Sequence, residues 1–125
     1  MRKLESNLQQ AAFKWFRLAY PKYKGVYFAI PNGGARTETT GAILKREGVM
    51  AGVADTFLAV AKNNNCKECS CGESYNGLFV EFKIGKNDLQ PSQQDFKANV
   101  EKQGYKYITI RTIDEFIREI EFYLK

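Results

Sequence analysis

The chain has 125 residues and a mass of 14.3 kDa, enough for one domain (1–125) with a real hydrophobic core and too short for two. Hydrophobic residues at 44% and charged residues at 26% exclude a fibrous, collagen-like or wholly disordered chain, and no apolar run approaches the ~20 residues of a membrane helix. The net charge of +5 and pI of about 9.1 permit a polyanionic partner, while the absence of histidine excludes His triads, His general bases and His-containing metal sites.

Met1-Arg2-Lys3-Leu4-Glu5 leads into polar residues instead of an apolar signal core, so a cytoplasmic location is expected. Leu4, Leu8, Ala11, Ala12, Trp15 and Ala19 recur at helical spacing and predict an amphipathic helix over 3–20, stopped by Pro21. Glu5 and Gln9 lie one turn apart beside that stripe. Residues 26–30 read as a short strand ending in the turn Pro31-Asn32-Gly33-Gly34, and 37–47 as a short helix closed by Gly48. A strand follows over 55–60, then a loop over 63–76 rich in Asn, Cys, Ser and Gly.

The clearest strand spans 78–84, where Leu78, Val80, Phe82 and Ile84 share one face and Glu81 and Lys83 the other. Pro91 and Ser92, with Asp95 three residues after the serine, read as a capped helix start; Phe96 and Val100 form its inner face and Gly104 follows its end. Residues 105–110 return as a strand. Thr112 and Glu115 form a capping box ahead of the stripe Ile113, Phe116, Ile117, Ile120 and Leu124. This order of elements predicts an α/β domain with a mixed central sheet covered by helices.

Cys66, Cys69 and Cys71 are an odd number crowded into one stretch, which argues against a disulfide framework and for a reducing compartment. Thiolates so spaced can hold zinc, but a closed structural site usually takes four ligands and no fourth Cys exists, so a reduced, exposed loop is the plainer reading. Asp55 opens one strand and Glu81 and Lys83 lie along the next, so pairing of these strands gathers two carboxylates and an ammonium. Adjacent carboxylates repel unless a cation intervenes, and hard oxygen ligands suit Mg2+ or Mn2+, which can polarise a phosphoryl group and acidify a bound water while Lys83 orients that water or offsets charge. On the charges alone, a solvated Glu81–Lys83 pair on the outer face of an edge strand accounts for the same residues.

The ordered set Gly52-Val53-Ala54-Asp55, Glu81-Phe82-Lys83 and Leu89-Gln90-Pro91-Ser92-Gln93-Gln94-Asp95-Phe96 resembles the VRR-NUC family, the virus-type replication-repair nucleases of the PD-(D/E)XK superfamily. The resemblance extends to Glu5, to Ile30-Pro31-Asn32-Gly33-Gly34-Ala35-Arg36, and to Leu44-Lys45 with Gly48, and so spans nearly the whole chain. It implies a restriction-endonuclease-like core in which Asp55, Glu81 and the main-chain carbonyl of Phe82 bind the metal. Lys83 is then the catalytic lysine, Gln93 a glutamine near the active site, and Glu5 a further contributor to the metal shell. Ala54 stands where many members carry proline, and the Cys-containing segment is longer than the family minimum.

These readings lead to a Mg2+-dependent endonuclease, with Mn2+ as substitute, that hydrolyses DNA phosphodiesters. The resemblance implies branched DNA, such as four-way junctions, as substrate, and a stand-alone homodimer. Asn32, Gly33, Gly34 and Arg36 could present backbone N–H groups and a guanidinium to phosphate, or form a plain glycine turn. Lys22, Lys24, Lys45, Arg46 and Lys86 are candidates for non-specific phosphate contacts. The rival readings are a non-catalytic nucleic-acid-binding module on the same fold and a sequence-reading restriction-type enzyme; the latter needs a base-reading element that the sequence does not display. For the dimer surface, the last helix with Phe122 and Tyr123 outside its main stripe is the candidate, against a helix packed only within its own chain.

Overall fold

A computed structural model describes residues 2–31, 38–63 and 72–125. The turn Asn32, Gly33, Gly34 and Arg36 and the cysteines Cys66, Cys69 and Cys71 lie outside the described residues. The amphipathic N-terminal stripe forms α1, Arg2–Ala19, and Pro21 opens a 3-10 segment, Pro21–Val26, that leads into β1, Tyr27–Ala29. Then follow α2 (Glu38–Arg46), β2 (Thr56–Leu58), β3 (Leu78–Phe82), α3 (Pro91–Lys102), β4 (Lys106–Ile110) and α4 (Ile113–Leu124). The α/β order expected from the sequence is the order observed, with the 3-10 segment added.

The sheet order is β1-β2-β3-β4. The first three strands run antiparallel, with Ala29 opposite Thr56 and Thr56 opposite Val80. β4 then returns parallel to β3 through the crossover that contains α3, and pairs Glu81 with Thr109. Alternation along the strands sends Tyr27, Leu58, Leu78, Val80, Phe82 and Ile110 to one face, where Ala12 and Phe16 of α1 and Phe116 and Ile120 of α4 complete the core. The opposite face carries Phe57, Phe79, Tyr105 and Tyr107, and Phe96 of α3 meets Phe79 and Tyr107 edge-on.

Three local expectations need correction. The reading of Glu81 and Lys83 as a solvated pair on an edge strand fails, because β3 is an inner strand and their exposures are 3% and 9%. The cap of α3 is Gln90, not Ser92: Pro91 occupies the first helical position, and Gln90 and Gln93 form a reciprocal capping box. Tyr123 does not offer itself to a partner subunit. It is buried, and its hydroxyl donates to the Val60 carbonyl at 2.7 Å. Phe122 beside it is exposed, and the Lys62 ammonium donates to the carbonyls of both residues, closing the C-terminus of α4. The predicted box at the start of α4 forms in altered shape: Thr112 accepts from the Glu115 amide, while the Glu115 carboxylate reaches the amide of Arg111.

Candidate active site

The antiparallel register of β2 and β3 places Asp55, one residue before β2, against Glu81. The Asp55 amide donates to Glu81 Oε2 at 3.2 Å, and the Phe82 amide donates to Asp55 Oδ2 at 2.8 Å. The Asp55 carbonyl accepts from Ile30 N at 2.7 Å, so β1 also fixes this residue. Each carboxylate is thus oriented by the backbone of the other's strand.

Gln93 joins the pair from the first turn of α3. Its Oε1 accepts from the Gln90 amide at 2.8 Å in the capping box, which leaves Nε2 to donate to Glu81 Oε1, also at 2.8 Å. One side chain both starts the helix and orients the carboxylate. The loop ahead of Asp55 meets the same helix turn at Gly52, whose φ is +85°; a β-carbon there would lie 2.3 Å from the Ser92 carbonyl oxygen. Only glycine meets both demands, the left-handed backbone and the close approach.

Burial and mutual repulsion set the electrostatics. Burial first, and the negative Asp55 second, push the Glu81 carboxyl up to about 8, with Lys83 opposing. Asp55 is also raised, first by burial, with the Phe82 N–H working against the shift and Glu5 adding to it. In the absence of a cation, two such groups hold a proton between them at neutral pH. The Lys83 ammonium stabilises both carboxylates yet closes no ion pair with them; among the described residues the pair within 4.0 Å is Lys106–Glu119.

Glu5 on α1 acts on both carboxylates through its charge. It does not close up with them, since no group of three Asp, Glu or Cys side chains poised to hold a metal occurs among the described residues. Lys45, in the last turn of α2, and Lys86, in the turn after β3, are exposed, and neither makes a hydrogen bond or ion pair to the carboxylates. No described helix is long and apolar enough to cross a membrane.

Sequence reasoning missed Tyr107. It is 6% exposed, its hydroxyl has no hydrogen-bond partner among the described residues, and burial together with the charges of Glu81 and Asp55 keeps it protonated. The available signal was alternation: Tyr107 and Thr109 face the same way on β4, and Thr109 pairs with Glu81.

No protein family matches the sequence by profile, and no curated protein matches it. Among solved structures, a VRR_NUC domain protein superposes with a TM-score of 0.76 at 24% identity, covering 96% of this chain and 87% of that one. The likeness establishes the fold. The chain has the restriction-endonuclease-like α/β architecture of a VRR_NUC domain, as its sequence motifs led one to expect.

Proposed function

We propose that this VRR_NUC-type fold is a divalent-cation-dependent nuclease that hydrolyses DNA phosphodiester bonds at Asp55, Glu81 and Lys83. The observation that carries the reading is the Asp55–Glu81 pair, Glu81 buried and Asp55 half-buried, held by Phe82, Gln93 and the opposed strands, with an ammonium nearby. Two carboxylates forced together with raised proton affinity form a hard-oxygen donor set that Mg2+ or Mn2+ fits, because a cation there relieves the repulsion. Within a strand, a residue's N–H and C=O leave on the same edge, so the Phe82 carbonyl faces the Asp55 side and is the third donor.

When bound, the cation polarises the phosphoryl group and makes a water more acidic. The residues do the rest. Asp55 and Glu81 fix the position of the charge, Gln93 locks the Glu81 carboxylate, and Lys83 offsets negative charge growing on the phosphoryl oxygens as water adds to phosphorus and the P–O bond to the leaving strand breaks. Branched DNA and a homodimer belong to the same proposal. One chain carries one Asp55–Glu81–Lys83 set, whereas cutting two strands related by a two-fold axis takes two.

The test is incubation of the full chain with labelled four-way, flap, duplex and single-stranded DNA, with Mg2+, with Mn2+ and with EDTA, alongside light scattering. Ion-dependent cleavage that favours branched DNA, by a dimer, supports the reading. Binding without cleavage at any ion concentration assigns the chain to the non-catalytic reading.

A further inference from the structure

Among the described residues, the buried side-chain polar atom left without a hydrogen-bond partner is the Tyr107 hydroxyl. An unpaired hydroxyl in the interior costs stability, and phenylalanine fills the same space without that cost. The layer around it already takes plain rings: Phe79 lies opposite on β3, and Phe96 of α3 meets the Tyr107 ring edge-on with 6.3 Å between centres. Packing alone therefore does not account for a tyrosine at this position.

The sheet sets that hydroxyl beside the carboxylates. β4 pairs Tyr107 with Phe79 and Thr109 with Glu81, and alternation sends all four to one face. Tyr107 and Glu81 are diagonal neighbours, one strand across and two residues along, with α-carbons roughly 8 Å apart, a gap their two long side chains span together. One helix roofs both: Gln93 of α3 donates to Glu81 at 2.8 Å, and one turn on, Phe96 covers the Tyr107 ring while the Lys97 ammonium stands 5.9 Å from its centre. Among the charges that act on the hydroxyl, Glu81 comes first and Asp55 second, ahead of Glu101 farther along α3, so the polar end of the ring lies toward the carboxylate pair. Glu81 has capacity for another donor. A carboxylate offers about four lone-pair sites. Gln93 Nε2 takes one on Oε1, and the Asp55 amide takes one on Oε2 over a longer 3.2 Å.

We infer that Tyr107 is a positioning residue for Glu81, its hydroxyl a reserve donor that closes on the carboxylate when a divalent cation is bound. The inference rests on the nuclease reading, which makes Glu81 a cation ligand, and it brings β4 into the site. Donors behind a ligand carboxylate fix its orientation, as Gln93 does from α3. A hydrogen bond made only with the cation in place strengthens cation binding and adds nothing to the fold by itself. The cost of the hydroxyl to stability and its use to the site are thus separable by experiment.

The test compares the full chain with Tyr107→Phe and, as a packing control, Phe96→Leu. Mn2+ binding is read by water-proton relaxation, Mg2+ binding by competition, and stability by melts in EDTA. Tyr107→Phe weakens binding of both ions about tenfold, the loss expected for a donor behind a metal ligand, while its Tm in EDTA rises. Phe96→Leu melts lower and binds the ions as the parent does. In cleavage assays Tyr107→Phe needs about tenfold more Mg2+ for half its maximal rate and recovers the parent rate at saturation. Unchanged ion affinity in Tyr107→Phe overturns the inference and leaves the nuclease reading intact. So does an equal loss of affinity in both variants, which assigns the effect to packing under α3. A parent that binds neither ion overturns the cation centre, and the inference with it. If the tenfold difference in ion affinity holds but every DNA stays uncut, the nuclease reading falls and the role of Tyr107 stands.

Discussion

Replacing Asp55 by asparagine should stabilise the cation-free protein while abolishing cleavage. Folding carries the Glu81 carboxyl from its ordinary 4.5 to about 8, so between those values the folded state holds a proton that the unfolded state has released. Stability contributed by that proton is full below pH 4.5 and is lost as pH rises toward 8, at about 1.4 kcal/mol per pH unit. From pH 4.5 to 7 the loss is about 3 kcal/mol. Burial is the larger cause and the Asp55 charge the second, so removing that charge returns less than half, on the order of 1 kcal/mol. Asparagine keeps an acceptor for the Phe82 amide and turns a donor toward Glu81, so the hydrogen bonding survives the change. For a chain of this size, Tm should rise by about 4 °C at pH 7 in EDTA, and the gain should vanish near pH 4.5. Calorimetric melts of both proteins across pH decide it. A variant that melts lower than the parent at pH 7, or gains equally at both pH values, refutes the repulsion on which the cation argument depends.

Other outcomes follow from single contacts. Lys83→Ala should lose cleavage at least a hundredfold while DNA binding, followed by anisotropy, falls little, since the ammonium acts on developing charge and anchors no other side chain. Gly52→Ala should cost about 3 kcal/mol, because the new methyl collides with the Ser92 carbonyl in a backbone that resists L side chains; a melt within 2 °C of the parent contradicts the close approach. Tyr107→Phe removes a buried hydroxyl without a partner among the described residues and should raise Tm by about 4 °C, whereas a lower Tm reveals a bridging water. Saturating Mg2+ should raise the Tm of the parent protein and leave that of Asp55→Asn nearly unchanged.

Elements whose pattern is purely local were legible in the sequence: the stripe of α1, the alternation of β3, and the facing of Asp55 and Glu81 once two successive strands pair. What escaped depends on distant partners. The burial of Glu81 and Lys83 follows from β4 flanking β3 and from Gln93 of α3 reaching Glu81, and no window around residue 81 contains either. Tyr123 lies three residues after Ile120 and fits an inward face as well as Leu124 does; the Val60 carbonyl, 63 residues away, decides between them. Gln90 was readable in principle, because proline at the first helical position makes its predecessor the cap. A long polar side chain simply looks less like a cap than the serine two residues on.

The contact at Gly52 also bears on how such chains are to be found. At 24% identity most side chains differ between the two chains, but a loop that touches a helix through its own backbone admits no β-carbon, and the helix it touches uses one side chain, Gln93, both to complete its capping box and to hold a carboxylate. Gly-x-x-Asp, Glu-x-Lys and Gln-Pro-x-Gln are therefore three readings of one mechanical joint. Searched together and in that order, with free spacing between them, they form a query whose fixed letters have steric or hydrogen-bonding reasons and, at Lys83, an electrostatic one, and one able to retrieve relatives that overall similarity has let go.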